Sequence, residues 1–391
     1  MGLQKRAKYA LYGINICIYG MLAVYYNRMQ KYLESVITGR NHTGIIGLLL
    51  AVGPLVSIFA PILWGYVADR SKSKNAVLAL TVALSSLAFF LLMLDHSPIY
   101  LAVILALFMF FMSSFQGIVD IITLEYTSQT NMNYGLVRVT GSLAYGVVSF
   151  SLSALTANGY TPMFWTYFGI AAAAVVSLFA APKVAGHGVA EGQTRSKTSI
   201  GALFRDRRLM LLILFVGVVQ FAWSYYTNFF PSHLTNTLGR PDYIWGLNAF
   251  LTVLGEVPFF LAFRFLFDKI GIRRLMLYSF ALSVLRYAGL AFLTSTPALL
   301  ALAFVTGFAV TVFTYCTSVY INQCVAPENK ASANSLMYAL GNGIPRVLSA
   351  ALGGIMTQYL GYVFSTVLCT VLCGAAILLF WLGFYRDKTV S

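Results

Sequence analysis

Long apolar runs separated by short polar turns repeat along the whole chain. Twelve runs of about 20 residues or more stand out, at about 8–27, 44–68, 76–94, 98–126, 133–156, 161–181, 209–231, 243–267, 275–293, 297–323, 332–358 and 362–385. A helix needs about 20 apolar residues to cross roughly 30 Å of hydrocarbon. The runs are continuous and lack the every-second-residue alternation of a barrel strand, so each predicts a membrane-spanning helix. The expected fold is therefore an all-α membrane protein with twelve transmembrane helices.

The polar intervals organise those helices. Between Ala181 and Arg208 the sequence APKVAGHGVAEGQTRSKTSIGALFRDRR is polar, glycine-containing and basic. It divides the spans six and six, giving a bundle over 1–182, a linker over 183–207 and a second bundle over 208–391. A short charged turn follows the second span of each half, GYVADRSKSK at 65–74 and RFLFDKIGIRR at 264–274, with Asp69 and Asp268 about half the chain apart. Each turn alone reads as a solvated basic loop. Their repetition at matching positions predicts two pseudo-symmetric six-helix bundles, the build of many secondary transporters, in which solute sites lie near the bilayer midplane.

Composition sharpens this reading. The chain has 391 residues, is 59% hydrophobic and 10% charged, and its mean hydropathy of +0.77 lies outside the soluble globular classes. Its net charge of +14 raises the question of a nucleic-acid partner, but the distribution answers it. With an even number of spans both termini share one side. Nineteen of the 26 Lys and Arg residues fall on that side, four (Arg28, Lys31, Arg40 and Arg240) on the other, and three within the spans. By the positive-inside rule both termini are cytoplasmic, the excess charge is a topology signal, and no nucleic acid is implied. The basic N-terminal residues lead into the first span without a small-residue cleavage site, so that span is expected to be retained. The setting expected is the cytoplasmic membrane of a bacterium, with the protein a monomer in the lipid bilayer.

Cofactor chemistry finds little support. The five cysteines lie in or beside spans, and Cys369 and Cys373, one turn apart, have no His or carboxylate nearby to complete a metal site. The spans hold no constellation of catalytic His, Cys or metal ligands, so neither an enzyme nor a cofactor is implied.

Five ionisable residues lie inside the spans: Asp120, Arg138, Glu256, Arg286 and Arg346. A charge at bilayer depth costs at least roughly 2.5 to 3.5 kcal/mol on insertion scales, which makes each a functional candidate. Asp120 and Arg138 flank the turn Ser128-Gln129-Thr130, each roughly 13 Å up its helix at 1.5 Å per residue. Glu256 and Arg286 flank Gly271 in the same way, roughly 22 Å up. Each half thus offers one acid and one base at a common depth, while Arg346 has no acid of its own. Such pairs also serve helix packing, but buried pairs are weak stabilisers, so function explains them better. Further cavity candidates are Asn15 and Tyr19, one turn apart on span 1, Gln116 one turn before Asp120, Gln220 and Trp223 on span 7, and Asn342 in span 11. Each is equally suited to an interhelical hydrogen bond or an interfacial position. Glu125, close to its turn, reads as interfacial.

The repeated turns carry a resemblance. The pattern G-x-x-x-D-R/K-x-G-x-R/K-R/K resembles the loop motif of the major facilitator superfamily, with Gly65, Asp69, Arg70 and Lys74 matching in the first copy and Asp268, Lys269, Gly271, Arg273 and Arg274 in the second. Lys72 and Arg264 stand where the motif has Gly. The resemblance implies the major facilitator fold and, for these residues, a charge network that biases inward- against outward-facing states. The stretch DIITLEYTSQTNMNYGLVRVTG from Asp120 is similar to the group of lactose permease, phenylpropionate permease and nucleoside–proton symporters. That likeness implies that Asp120, Gly135 and Arg138 contact solute hydroxyls and that Tyr145 stacks on the solute. It also implies that Glu256 and Arg286 sit near a proton site. The His, Glu and Asp residues that lactose permease places in spans 10 and 7 are absent; Thr306, Ala309, Gln220 and Trp223 occupy those regions. All four His residues lie in loops or at a span end, so a proton carrier would be Glu256 or Asp120. Burial favours a neutral carboxylic acid and a neighbouring guanidinium favours its carboxylate, so an Arg that approaches and withdraws would switch it.

The function expected is proton-coupled symport of a small polar organic solute such as a sugar, oligosaccharide or nucleoside. Three membrane arginines against two acids leave an anionic solute, for example an aromatic carboxylate, as the alternative. Drug efflux fits less well, since span 5 lacks the Gly-Pro-rich signature of drug antiporters, and a non-transporting sensor would want a soluble domain.

Overall fold

The computed structural model describes residues 2–39, 42–130, 132–184, 204–325 and 330–381. Most of the 183–207 linker, the chain from 382 onward and the side chain of Arg273 lie outside the described residues. Among those described, regular structure is helical throughout. The first half holds α1 (Gly2–Val36), α2 (His42–Ser57), α3 (Ala60–Arg70), α4 (Lys74–Leu91), α5 (Pro98–Met112), α6 (Phe115–Ser128), α7 (Tyr134–Leu155) and α8 (Thr161–Ala180). The second half holds α9 (Arg207–Ser232), α10 (Tyr243–Ile270), α11 (Ile272–Phe292), α12 (Thr296–Cys324), the short α13 (Lys330–Leu336) and α14 (Ile344–Phe380). Wide π-helical turns, His233–Thr237 and Met337–Gly343, extend α9 and join α13 to α14.

Helix starts follow the sequence chemistry. The side chains of Ser73, Asn133, Asp206 and Ser295 accept first-turn N–H groups of α4, α7, α9 and α12, which would otherwise lack partners. Pro sits in the first turn of α3, α5, α8 and α12, where its missing N–H is harmless. Among the described residues ten helical segments are long and apolar enough to cross a membrane. One of them, Ser332–Leu378, is 47 residues long and breaks at Gly361, whose φ of 78° suits only glycine. With that break and with α10, every one of the twelve predicted runs has its helix. Large apolar side chains face outward along them, Ile99 and Phe179 being 82% exposed, as lipid contact requires. The chain is a multi-pass membrane protein.

The first helix differs from expectation. The apolar run ends near residue 27, yet α1 continues through NRMQKYLESV to Val36. Arg28 and Lys31, placed in a loop by charge counting, are 0% and 7% exposed inside that helix. Their polar heads have protein partners, so a polar sequence there does not end the helix.

The chain divides into two compact units, one of residues 1–193 with 240–250 and one of 194–239 with 251–391. In the first, α1 packs against α7 and α8, and α4 against α5 and α8. Phe89, Phe108, Phe164 and Tyr167 form an aromatic core there, with Phe89 stacked on Tyr167 at 4.3 Å. In the second, α9 packs on α14, and α11 on α12 and α14, around Leu212, Phe215, Phe259, Phe280 and Phe313. There α10 and α12 touch backbone to backbone. A Cβ at Gly307 would collide with the Thr252 carbonyl and one at Gly255 with that of Phe304, so only glycine allows this approach.

Candidate functional site

Each unit holds its own cluster of polar side chains within its spanning helices. In the first, Asp120 on α6 and Arg138 on α7 form the ion pair their depths predicted, with Arg138 Nε 3.7 Å from Asp120 Oδ1. The pair is loose: both side chains are about a third exposed, at 32% and 28%, and the separation exceeds hydrogen-bond range. Arg138 Nη1 donates to Ser142 Oγ at 3.3 Å, one turn on, and its guanidinium lies 4.3 Å from the centre of the Tyr19 ring. Tyr19 reaches that place because Gly141 leaves room; a Cβ there would strike the ring. One turn before Tyr19, Asn15 Nδ2 donates to Thr123 Oγ1 at 3.0 Å, tying α1 to α6. Asp120 Oδ1 is buried and accepts no hydrogen bond among the described residues. An acceptor so placed, beside a guanidinium and an aromatic face, is chemically equipped to take a hydroxyl donor.

Other residues predicted for this cluster take lesser places. Gln116 is exposed, Tyr145 is partly buried two turns beyond Arg138, and Gly135 lies in the first turn of α7 with its N–H on Asn133 Oδ1.

In the second unit the predicted acid–base pair does not form in this conformation. Among the described residues no ion pair joins Arg286 to Glu256 or to any other carboxylate; Glu256 has contacts of its own. Arg286, 3% exposed, instead lies against three rings, with its guanidinium 3.9 Å from the centre of Tyr226, 4.9 Å from Trp223 and 5.1 Å from Tyr287. Its Nη2 has no hydrogen-bond partner among the described residues. Withdrawing a guanidinium from water costs several kcal/mol. Cation–π contacts of about 2 kcal/mol each when desolvated offset part of that. Arg346 is half-buried and donates Nε and Nη2, at 3.1 and 2.9 Å, to the single oxygen Gln220 Oε1, while Ser224 Oγ donates to its carbonyl. Asn342 turns inward on its own helix and donates to the Met337 carbonyl across the π-helical turn.

The repeated turns are mostly solvent-facing. Asp69, Asp268 and Arg274 are exposed, Arg70 lies over Tyr66 and Lys269 over Phe265, and Gly65 has open space around it. Lys74 is the exception: 1% exposed, it pairs with Glu125, and its N–H donates to the Val184 carbonyl. Asn75 bonds Pro182 and Val184 beside it, fastening the start of the linker to α4.

One cluster of the first unit escaped sequence reading. Arg28, fully buried, pairs with Asp242 and donates to Ser153 Oγ at 3.2 Å. Ser153 bonds the Asn27 side chain, and Trp245 Nε1 donates to the Asn27 carbonyl at 3.0 Å. Tyr226 and Tyr287 were also missed, though Tyr226 follows Trp223 by the three residues that share a helix face and Tyr287 adjoins Arg286.

Apolar spans in two units, each with charged side chains within its helices, are the build of a multi-pass membrane transporter. Residues 10–366 match the MFS_1 like family, and the chain belongs to that family of major facilitator transporters. It is similar to an uncharacterized transporter of Bacillus subtilis (strain 168), YwbF, 26% identical over 80% of this chain and 78% of that one. It is also similar to the maltose permease of Geobacillus stearothermophilus, at 25% over 85% and 84%. The nucleoside permease NupG of Escherichia coli (strain K12) is 22% identical over 80% and 79%. A crystal structure of NupG superposes with a TM-score of 0.83 at 18% identity, covering 99% of this chain and 100% of that one, which establishes the major facilitator fold.

Proposed function

We propose that this transporter imports a small polar organic solute, such as a sugar, oligosaccharide or nucleoside, together with a proton, by alternating access. The observation that carries the reading is Asp120 Oδ1, buried and without a hydrogen-bond donor among the described residues, beside Arg138 and the face of Tyr19. A solute hydroxyl supplies the missing donor, the guanidinium the complementary donors, and the ring a platform for an apolar sugar or base face. Asn15, Gln116 and Tyr145 are the further solute-contact candidates of the first unit, and Gln220, Trp223, Asn342 and Arg346 are separate candidates within the second. Similarity to a maltose permease and a nucleoside permease supports polar solutes of this kind.

The proton travels on Glu256, with Arg286 on the next helix as the group that approaches it in the opposite state. The turns at Gly65, Asp69, Arg70 and Lys74 and at Asp268, Lys269, Arg273 and Arg274 bias the two states, and Lys74 with Glu125 is the engaged contact. Both termini face the cytoplasm, and the working unit is the monomer. Right-side-out vesicles with an imposed inward proton gradient test the coupling. Radiolabelled solute should accumulate, accumulation should vanish with a protonophore, and Glu256→Gln should abolish it while leaving solute exchange intact. Accumulation that survives collapse of the gradient would overturn the proton reading.

A further inference from the structure

In the second unit two arginines lie against neighbouring positions of one helix, and among the described residues neither has an ion-pair partner. Gln220 and Trp223 are three residues apart on α9, so they share a face and are neighbours within one helical turn. Arg346, from α14, is forked onto Gln220; Arg286, from α11, lies over Trp223. Two guanidinium groups from different helices therefore converge on a single turn. The ion pairs among the described residues involve neither of them. Arg286 is 3% exposed and its Nη2, itself buried, has no hydrogen-bond partner among the described residues, while Trp223 and Arg346 keep partial exposure, so a ligand would reach the arginines from their side.

We infer that Arg286 and Arg346 form a seat for an oxyanion of the transported solute, a carboxylate or a phosphate, walled by Trp223, Tyr226 and Tyr287. Guanidinium is the group suited to this, because its donors are fixed in a plane that matches a carboxylate or phosphate edge and it remains charged at any physiological pH. Rings alone attract the cation but accept no hydrogen bond of ordinary strength, so the free Nη2 donor is what the oxyanion satisfies. Gln220 holds Arg346 by Nε and one Nη, leaving its other Nη to reach the ligand. Aromatic walls suit a solute whose acidic group is attached to a ring. The inference rests on the transport reading above and narrows it to acidic members of the polar solutes.

Matched pairs of solutes test it: glucuronate and glucose 6-phosphate against glucose, and benzoate against benzyl alcohol. The full chain is purified, its melting temperature read in detergent from tryptophan fluorescence, and counterflow followed in proteoliposomes. At least one acid should raise the melting temperature and compete about ten-fold better than its neutral partner, a difference of about 1.4 kcal/mol. Whether glucuronate or the phosphate ester does so identifies the oxyanion. Arg346→Gln should erase the preference. Arg286→Lys, which keeps the charge but removes the planar fork, should weaken it and guards against a loss that merely reflects misfolding. Acids that move neither melting temperature nor exchange overturn the inference, as does an acid preference that survives both substitutions. Exchange of glucose or a nucleoside without acid preference would overturn the oxyanion seat while leaving the transport reading standing.

Discussion

Asp120 with Arg138 and Glu256 with Arg286 look alike along the chain, an acid and a base level with each other around a turn in each half, yet the structure treats them differently. In the first unit the base meets its acid, loosely, at 3.7 Å. In the second the base meets three aromatic rings, and a second arginine joins it on the same turn of α9. Equal depth in a membrane is therefore not equal chemistry. The first cluster is balanced in charge and can open around a neutral, hydroxylated group. In the second, no carboxylate among the described residues pairs with either arginine, and the inferred ligand is an anion.

Removing the cation from each place should separate the cases by sign. The largest effect belongs to the pair with the fully buried arginine: Arg28→Met strands Asp242, itself 18% exposed, and the chain should lose about 3 kcal/mol, read as a large fall in thermal melting in detergent. Asp242→Asn in that background should restore part of it. Arg138→Met strands Asp120 likewise, but with both groups about a third exposed solvent screening reduces the loss to about 1–2 kcal/mol. Arg286→Met should behave in the opposite sense, leaving melting unchanged or raising it by the equivalent of about 1 kcal/mol, because no carboxylate is orphaned. A strong destabilisation there would mean that an acid does serve Arg286 and would collapse the distinction. Of similar size is Gln220→Ala, which frees Arg346 from its two bonds and should cost about 1 kcal/mol, with binding of acids altered more than melting.

The spans were legible because hydrocarbon permits only one solution, a long apolar helix, and composition records it directly. What interrupts a span was not. The break between α2 and α3 near Phe59, the Ser113-Ser114 step between α5 and α6, and the π-helical turns leave the apolar run intact, since an extra or missing backbone bond changes no side-chain polarity. Depth was legible too, at 1.5 Å per residue, and it brought Asp120 and Arg138 together. The direction each side chain faces around its helix was not, and Arg286 turns to Trp223, Tyr226 and Tyr287. Partners far apart in sequence were hidden for the same reason. Lys74 looked like one more basic loop residue until Glu125 met it, and Arg28 looked like the end of a span until Asp242 supplied its counter-charge.

The loose pair of the first unit is the proposed contact for a polar solute. Counterflow in proteoliposomes tests it most directly, with a panel of sugars, nucleosides and aromatic acids offered to the native chain and to Arg138→Ala. At least one solute should exchange rapidly in the native chain and about 100-fold more slowly in the variant, a loss of about 2.7 kcal/mol. Equal exchange by the two proteins across the panel would contradict it.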